Sequence, residues 1–91
     1  MAGQVALDRE GQLVGPSDFA AQTTQVFKNL MAARDLVKLT TFVTDLSRLA
    51  DFRKVRDQFL DPAHAPGSTL VQVSRLFRPE FLIEIEAIAV R

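Results

Sequence analysis

Hydrophobic and polar positions alternate most sharply near the end of the chain, in Leu82-Ile83-Glu84-Ile85-Glu86-Ala87-Ile88-Ala89-Val90. Strand side chains alternate between faces. Leu82, Glu84, Glu86, Ile88 and Val90 therefore share one face, and Ile83, Ile85, Ala87 and Ala89 the other. Neither face has the composition of a solvated surface, and a strand apolar on both sides needs cover on both. The chain's own helices supply one cover. The chain is short, so the second falls to another subunit. Two glutamates in such a run must reach a partner or water, or be kept for chemistry.

Earlier segments follow the same logic. Gln4 to Asp8 reads as the end of a strand, Asp8 to Gln12 as a turn with Gly11 at positive φ, and Leu13-Val14 as a brief extended piece. Gly15-Pro16-Ser17 breaks the chain, and Ser17 or Asp18 caps a first helix. Phe19, Thr23, Val26, Leu30 and Ala33 recur on one face of that helix, widened by Phe27 and Met31. Gln22, Gln25, Lys28 and Asn29 fall on its wet side.

A strand is expected from Leu36 to Asp45, with Val37, Leu39, Thr41 and Val43 on the drier, helix-covered face. A second helix runs from about Leu49 to Leu60, capped by Ser47. Asp61 to Gly67 is a loop, and Ser68 to Leu76 a strand. Phe77 to Glu80 turns the chain into the final strand. Phe19, Phe42, Phe52 and Phe59 sit at core spacing.

The order β–α–β–α–β–β gives a single α+β domain over residues 1–91, with two helices on one face of a sheet and the other face open. The passage from Met31 to Asp35 is abrupt, with no glycine or asparagine for a helix C-cap. Either the first helix ends near Leu30 or residues are absent at that joint.

Composition narrows the function classes. The chain has 91 residues, no cysteine and one histidine, His64. Disulfides and thiolate metal sites are excluded. Oligomerisation is the remaining common way for so small a domain to gain core. Eleven basic residues balance eleven acidic ones, which argues against general nucleic-acid binding. The basic residues Arg48, Arg53, Lys54 and Arg56 are interleaved with Asp45, Asp51 and Asp57, as on a solvated face. No apolar run is long enough to span a bilayer, and the first residues lack a secretory pattern, so a cytoplasmic location is the expectation.

Several stretches together resemble the RidA family, also called YjgF or endoribonuclease L-PSP. They are Ala2-Gly3-Gln4-Val5-Ala6-Leu7-Asp8 with Gly11 and Leu13-Val14, then Asp18-Phe19-Ala20-Ala21-Gln22-Thr23 with Val26-Phe27-Lys28-Asn29-Leu30. They continue with Val37 to Leu46, Asp51-Phe52, and Ile83 to Val90, in family order. The resemblance implies a chorismate-mutase-like fold assembled as a homotrimer, with the open sheet faces at the centre and clefts between subunits. It implies hydrolysis of small reactive imines and enamines, such as 2-aminoacrylate, to 2-keto acids and ammonia. No metal and no organic cofactor is implied.

On that resemblance Glu84 is the catalytic carboxylate that positions water. Ser68, Thr69, Leu70, Gly3 and Gln4 line the substrate cleft, and Glu86 is structural. The chain departs from the family pattern in four places. The amino-terminal hairpin is missing, and the loop near residues 33–35 is shortened. Ser68 stands where deaminases of the family carry an arginine, and Arg56 where an asparagine is usual. A bidentate guanidinium grips a carboxylate as no serine can. Its loss leaves a second class of function open, a non-catalytic small-ligand-binding or regulatory trimer. Endoribonuclease activity is the weakest reading, because the charge is balanced and no histidine pair exists.

Overall fold

A computed structural model describes residues 4–30, 35–60 and 67–90, with the side chains of 35–37, 89 and 90 left aside. The readings placed on Gly3, on the joint at residues 31–34 and on the His64 loop lie outside the described residues.

Helix α1 spans Phe19–Leu30. Its cap is Asp18, whose Oδ1 accepts from the Ala21 N–H at 3.0 Å. The approach is tightly constrained. Gly15 lies at φ +67°, and a Cβ there would stand 2.7 Å from the Ala21 side chain, so any other residue strains both backbone and packing. Upstream, Asp8 Oδ1 accepts from the N–H groups of Glu10 and Gln12 at 2.9 Å each. Gly11 at φ +78° completes that turn and brings Leu7 opposite Leu13.

Strand β1 (Asp35–Val43) lies at the centre of a sheet ordered β2-β1-β3. Strand β2 (Gly67–Gln72) runs parallel to it and β3 (Ile83–Val90) antiparallel. A bulge between Leu36 and Lys38 shifts the β1–β3 register. On the far side of β3 the amino-terminal segment adds a bridge, Gln4 to Ile85, with N–H···O distances of 2.8 and 3.0 Å.

Helix α2 (Leu49–Phe59) follows a short 3-10 turn, Leu46–Arg48. Here the structure corrects the expected cap. Ser47 does not cap α2, and Arg48 at the α2 N-cap position makes no side-chain cap bond. Asp45 caps the preceding 3-10 turn, its Oδ1 accepting from both the backbone N–H and the hydroxyl of Ser47. Those bonds favour the ionised carboxyl and hold Asp45 below the usual carboxylate range. Arg48 and Arg56 pair with Asp51 and Asp57, at 3.6 and 3.2 Å, as the interleaved charges suggested.

Both helices cover one sheet face. Leu39 and Val43 of β1, and Ile83, Ile85 and Ala87 of β3, are buried against Phe19, Val26, Phe27, Leu30, Phe52 and Val55. Phe27 is the hub, stacked on Phe59 at 5.6 Å between ring centroids and tilted against Phe52 at 6.0 Å. Phe42 departs from the expected core set. It points to the opposite face and is only half-buried. Strand β2 ends at Gln72 rather than Leu76, although the Val73 N–H still donates to Val43 O at 2.9 Å.

Thr41 shares the buried face, and its Oγ1 finds no hydrogen-bond partner among the described residues. A buried hydroxyl without a partner costs about 1–3 kcal/mol. Thr41→Val keeps the branched shape and removes that cost. We expect the urea midpoint to rise, by about 1 kcal/mol of stability at fixed protein concentration. An unchanged or lower midpoint would mean that the hydroxyl is satisfied in solution.

Candidate functional site

The uncovered sheet face is built in rows, because paired residues on neighbouring strands point the same way. Gly67, Lys38 and Ile88 form one row, Thr69, Thr40 and Glu86 the next, and Val71, Phe42 and Glu84 the third. Apolar groups are left in water on this face. Ile88 is 56% exposed and Val71 38%. Lys38, Thr40, Glu86 and Ile88 edge a depression of about 250 Å³.

Glu84 is half-buried between the Phe42 row and the bridge to Gln4. Burial is the main reason its carboxyl is held above the usual range, and the neighbouring Glu86 charge adds to it. A carboxyl displaced in that direction is better suited to take and return a proton near neutral pH. Glu86, two residues on, is exposed.

The other expected site residues are spread around Glu84. Thr69 points to the same face, but β1 stands between β2 and β3. Two strand spacings make the separation roughly 10 Å between backbones. Ser68 and Leu70 pair with Leu39 and Thr41 and so belong to the helix-side parity. Ser68 is exposed at the start of β2, and Leu70 packs against the core. Gln4 lies directly across from Ile85, one residue from Glu84. By the same pairing Gln4 shares the helix-side parity of Ile85, so one protomer sets Glu84, Phe42 and Thr69 on the bare face, with Gln4 and Ser68 at the opposite parity.

Arg56 offers no substitute cation at this face. It belongs to the helical layer, bonded to Asp57 and lying over the Phe52 ring at 5.9 Å. A larger depression, about 820 Å³, lies between the amino-terminal turn and α1, where Gln4, Arg9, Glu10, Lys28 and Asn29 line it.

Sequence reasoning missed Gln22. Assigned to the wet side, it is fully buried. Its Nε2 donates to Gly15 O at 3.1 Å and Glu80 O at 2.9 Å, and its Oε1 accepts from Leu82 N–H at 2.8 Å. The signal was present. Gln22 stands three residues after Phe19 and four before Val26, within the apolar stripe.

A small α+β chain with two helices on one sheet face and a bare second face, carrying a paired-glutamate strand, defines a recognisable class. The chain belongs to the Endoribonuclease L-PSP family, which matches residues 1–91, and thus to the RidA/YjgF proteins. It is 36% identical to the 2-iminobutanoate/2-iminopropanoate deaminase of Escherichia coli over 101 residues, covering 99% of this chain and 77% of that one. It is 34% identical to RutC family protein slr0709 of Synechocystis over 98 residues, with 98% and 75% covered. The putative reactive intermediate deaminase TdcF of Escherichia coli is 43% identical over 63 residues, which span about half of its length (48%) and 67% of this chain. Among solved structures, RidA from an Antarctic Psychrobacter superposes with a TM-score of 0.86 at 33% identity, covering 98% of this chain and 76% of that one. Among the described residues no helix is long and apolar enough to cross a membrane.

Proposed function

We propose that this protein is a RidA-type hydrolase that converts small reactive imines or enamines to carbonyl compounds and ammonia, in clefts formed between copies of the chain in a homotrimer. The observation that carries the reading is Glu84, a half-buried carboxyl with a raised pKa on a sheet face rich in uncovered apolar side chains. The names of the deaminase relatives support the same chemistry.

In the proposed step Glu84 accepts a proton from a water molecule as the oxygen attacks the imine carbon. The C=N π electrons move to nitrogen, which takes that proton from Glu84 to give the carbinolamine. Glu84 then accepts the carbinolamine hydroxyl proton as C=O forms and passes it to the nitrogen as C–N breaks, releasing ammonia. The balance is one imine and one water in, one carbonyl compound and one ammonia out. Thr69, Gln4, Gly3 and the strand-start groups of Ser68 and Leu70 hold the substrate across the subunit boundary. The roughly 10 Å between the β2 and β3 sides within one protomer is why a second copy is needed to close the pocket. Imine generated in situ should decay faster with the protein than without it. Equal decay would end the reading.

A second reading keeps the trimer and gives up catalysis, a small-ligand-binding or regulatory protein. Exposed Ser68, at the position read as the family's arginine, favours it. Ser68→Arg separates the two. Restoring a guanidinium contact to a substrate carboxylate is worth about 1.5–3 kcal/mol, or roughly 10- to 100-fold in binding. For a working hydrolase the variant should lower KM for 2-imino acids on top of measurable native activity. Turnover appearing only in the variant would assign the native protein to the binding class.

A further inference from the structure

Helix α1 carries two side-chain amides seven residues apart, Gln22 and Asn29, two turns along one face. Each donates from its amide nitrogen to two backbone carbonyls. Gln22 fastens the approach to β3 through Glu80 O and Leu82 N–H, two residues before Glu84. Asn29 Nδ2 donates to Val5 O at 3.2 Å and Leu7 O at 3.1 Å, the carbonyls flanking buried Ala6. Gln25, between them, donates from Nε2 to Asn29 Oδ1 at 2.9 Å and fixes which end of the Asn29 amide faces the carbonyls.

The amino-terminal segment turns sharply here, with Leu7 N–H donating to Val5 O at 2.8 Å. Among the described residues its ladder contact to β3 is the bridge Gln4–Ile85. One bridge does not fix where a segment sits along its neighbour, because a slip of one residue exchanges the faces of its side chains. The second anchor is Asn29.

We propose that Gln22 and Asn29 are positioning residues of the Glu84 site: from one rigid helix they set where β3 and the amino-terminal segment meet, and so place Glu84 and Gln4 relative to each other. The proposal rests on the reading of Glu84 as the proton-transfer group. It adds that the geometry of the site is set from the helical layer on the opposite side of the sheet.

The test uses Asn29→Asp, which keeps the shape and the bond from Gln25 but cannot donate to Val5 O and Leu7 O. Gln22→Met is the second variant. Val55→Ala on α2 is the control, a core loss on a helix that carries neither amide. Steady-state imine hydrolysis is measured together with amide exchange at Ile85 and the carbon-13 titration of the Glu84 carboxyl. We expect kcat to fall roughly 10- to 100-fold in Asn29→Asp with KM little changed, since small misplacements of a proton-transfer group cost that much. Ile85 exchange should quicken and the Glu84 titration should move, while Val55→Ala keeps its kcat. A loss of kcat no greater than in Val55→Ala, or unchanged Ile85 exchange, overturns the proposal. If the native protein hydrolyses no imine, the functional reading fails by itself. The positioning claim is then decided by exchange and titration alone, and unchanged values sink it.

Discussion

Glu84→Gln should remove imine hydrolysis while leaving the fold intact. General acid–base assistance of the kind assigned to Glu84 contributes roughly 10²- to 10⁴-fold, and the amide can neither take nor return the proton. The loss should fall on kcat, because the amide still offers a polar contact to bound substrate. In the native protein kcat should rise with pH through the raised Glu84 pKa, as the base form appears. That limb should vanish in the variant.

Stability supplies a second readout from the same substitution. The folded state holds the Glu84 proton more tightly than the unfolded chain does. The stability this contributes is fully present below the unfolded pKa and is lost as pH rises through the folded one. Glu84→Gln should therefore be more stable than the native protein at neutral pH, with the advantage shrinking in acid. A variant that is equally active, or less stable at neutral pH than in acid relative to the native chain, would remove Glu84 from its role.

Ile88→Asp should dissolve the assembly and the activity together. In the isolated protomer Ile88 is 56% exposed, so the substitution should cost the monomer little. Packed against other copies, each Ile88 would contribute about 1.5–3 kcal/mol of apolar burial. Aspartate loses that and adds a charge that must be desolvated. Its effect on association should exceed roughly 100-fold per contact. Circular dichroism should stay native while the particle mass falls and imine decay returns to the uncatalysed rate. A variant that remains fully assembled would place the interface elsewhere.

The elements of this fold were legible where pattern and chemistry agreed. Alternation in β3 assigned Ile83, Ile85 and Ala87 to the covered face and Glu84, Glu86 and Ile88 to the other, and the structure has the same division. In β1, Leu39, Thr41 and Val43 are the buried set, as their spacing indicated. Gln22 was misplaced because its polarity was weighed above its position. A long amide enters an apolar stripe when backbone groups of a neighbouring loop need partners, and those neighbours are nearly 60 residues away (separations of 58 and 60). Phe42 was misplaced for the converse reason: an aromatic ring was taken as core although its parity is that of Lys38 and Thr40.

The candidate site was legible one strand at a time. Periodicity gives the face of Glu84 and of Thr69. It does not give the order β2-β1-β3, which sets β1 between them. Nor does it reveal that Thr69, rather than Ser68 and Leu70, shares the face of Glu84, since that depends on the register Thr40 to Thr69 and Thr40 to Glu86.

Sedimentation of the native protein at micromolar concentration tests the whole account most directly. A 10.1 kDa chain whose bare β-layer must be dried by its own copies should run as a particle of three chains. A folded single chain, stable at that concentration with Ile88, Val71 and Phe42 left in water, would contradict it and take the shared clefts away.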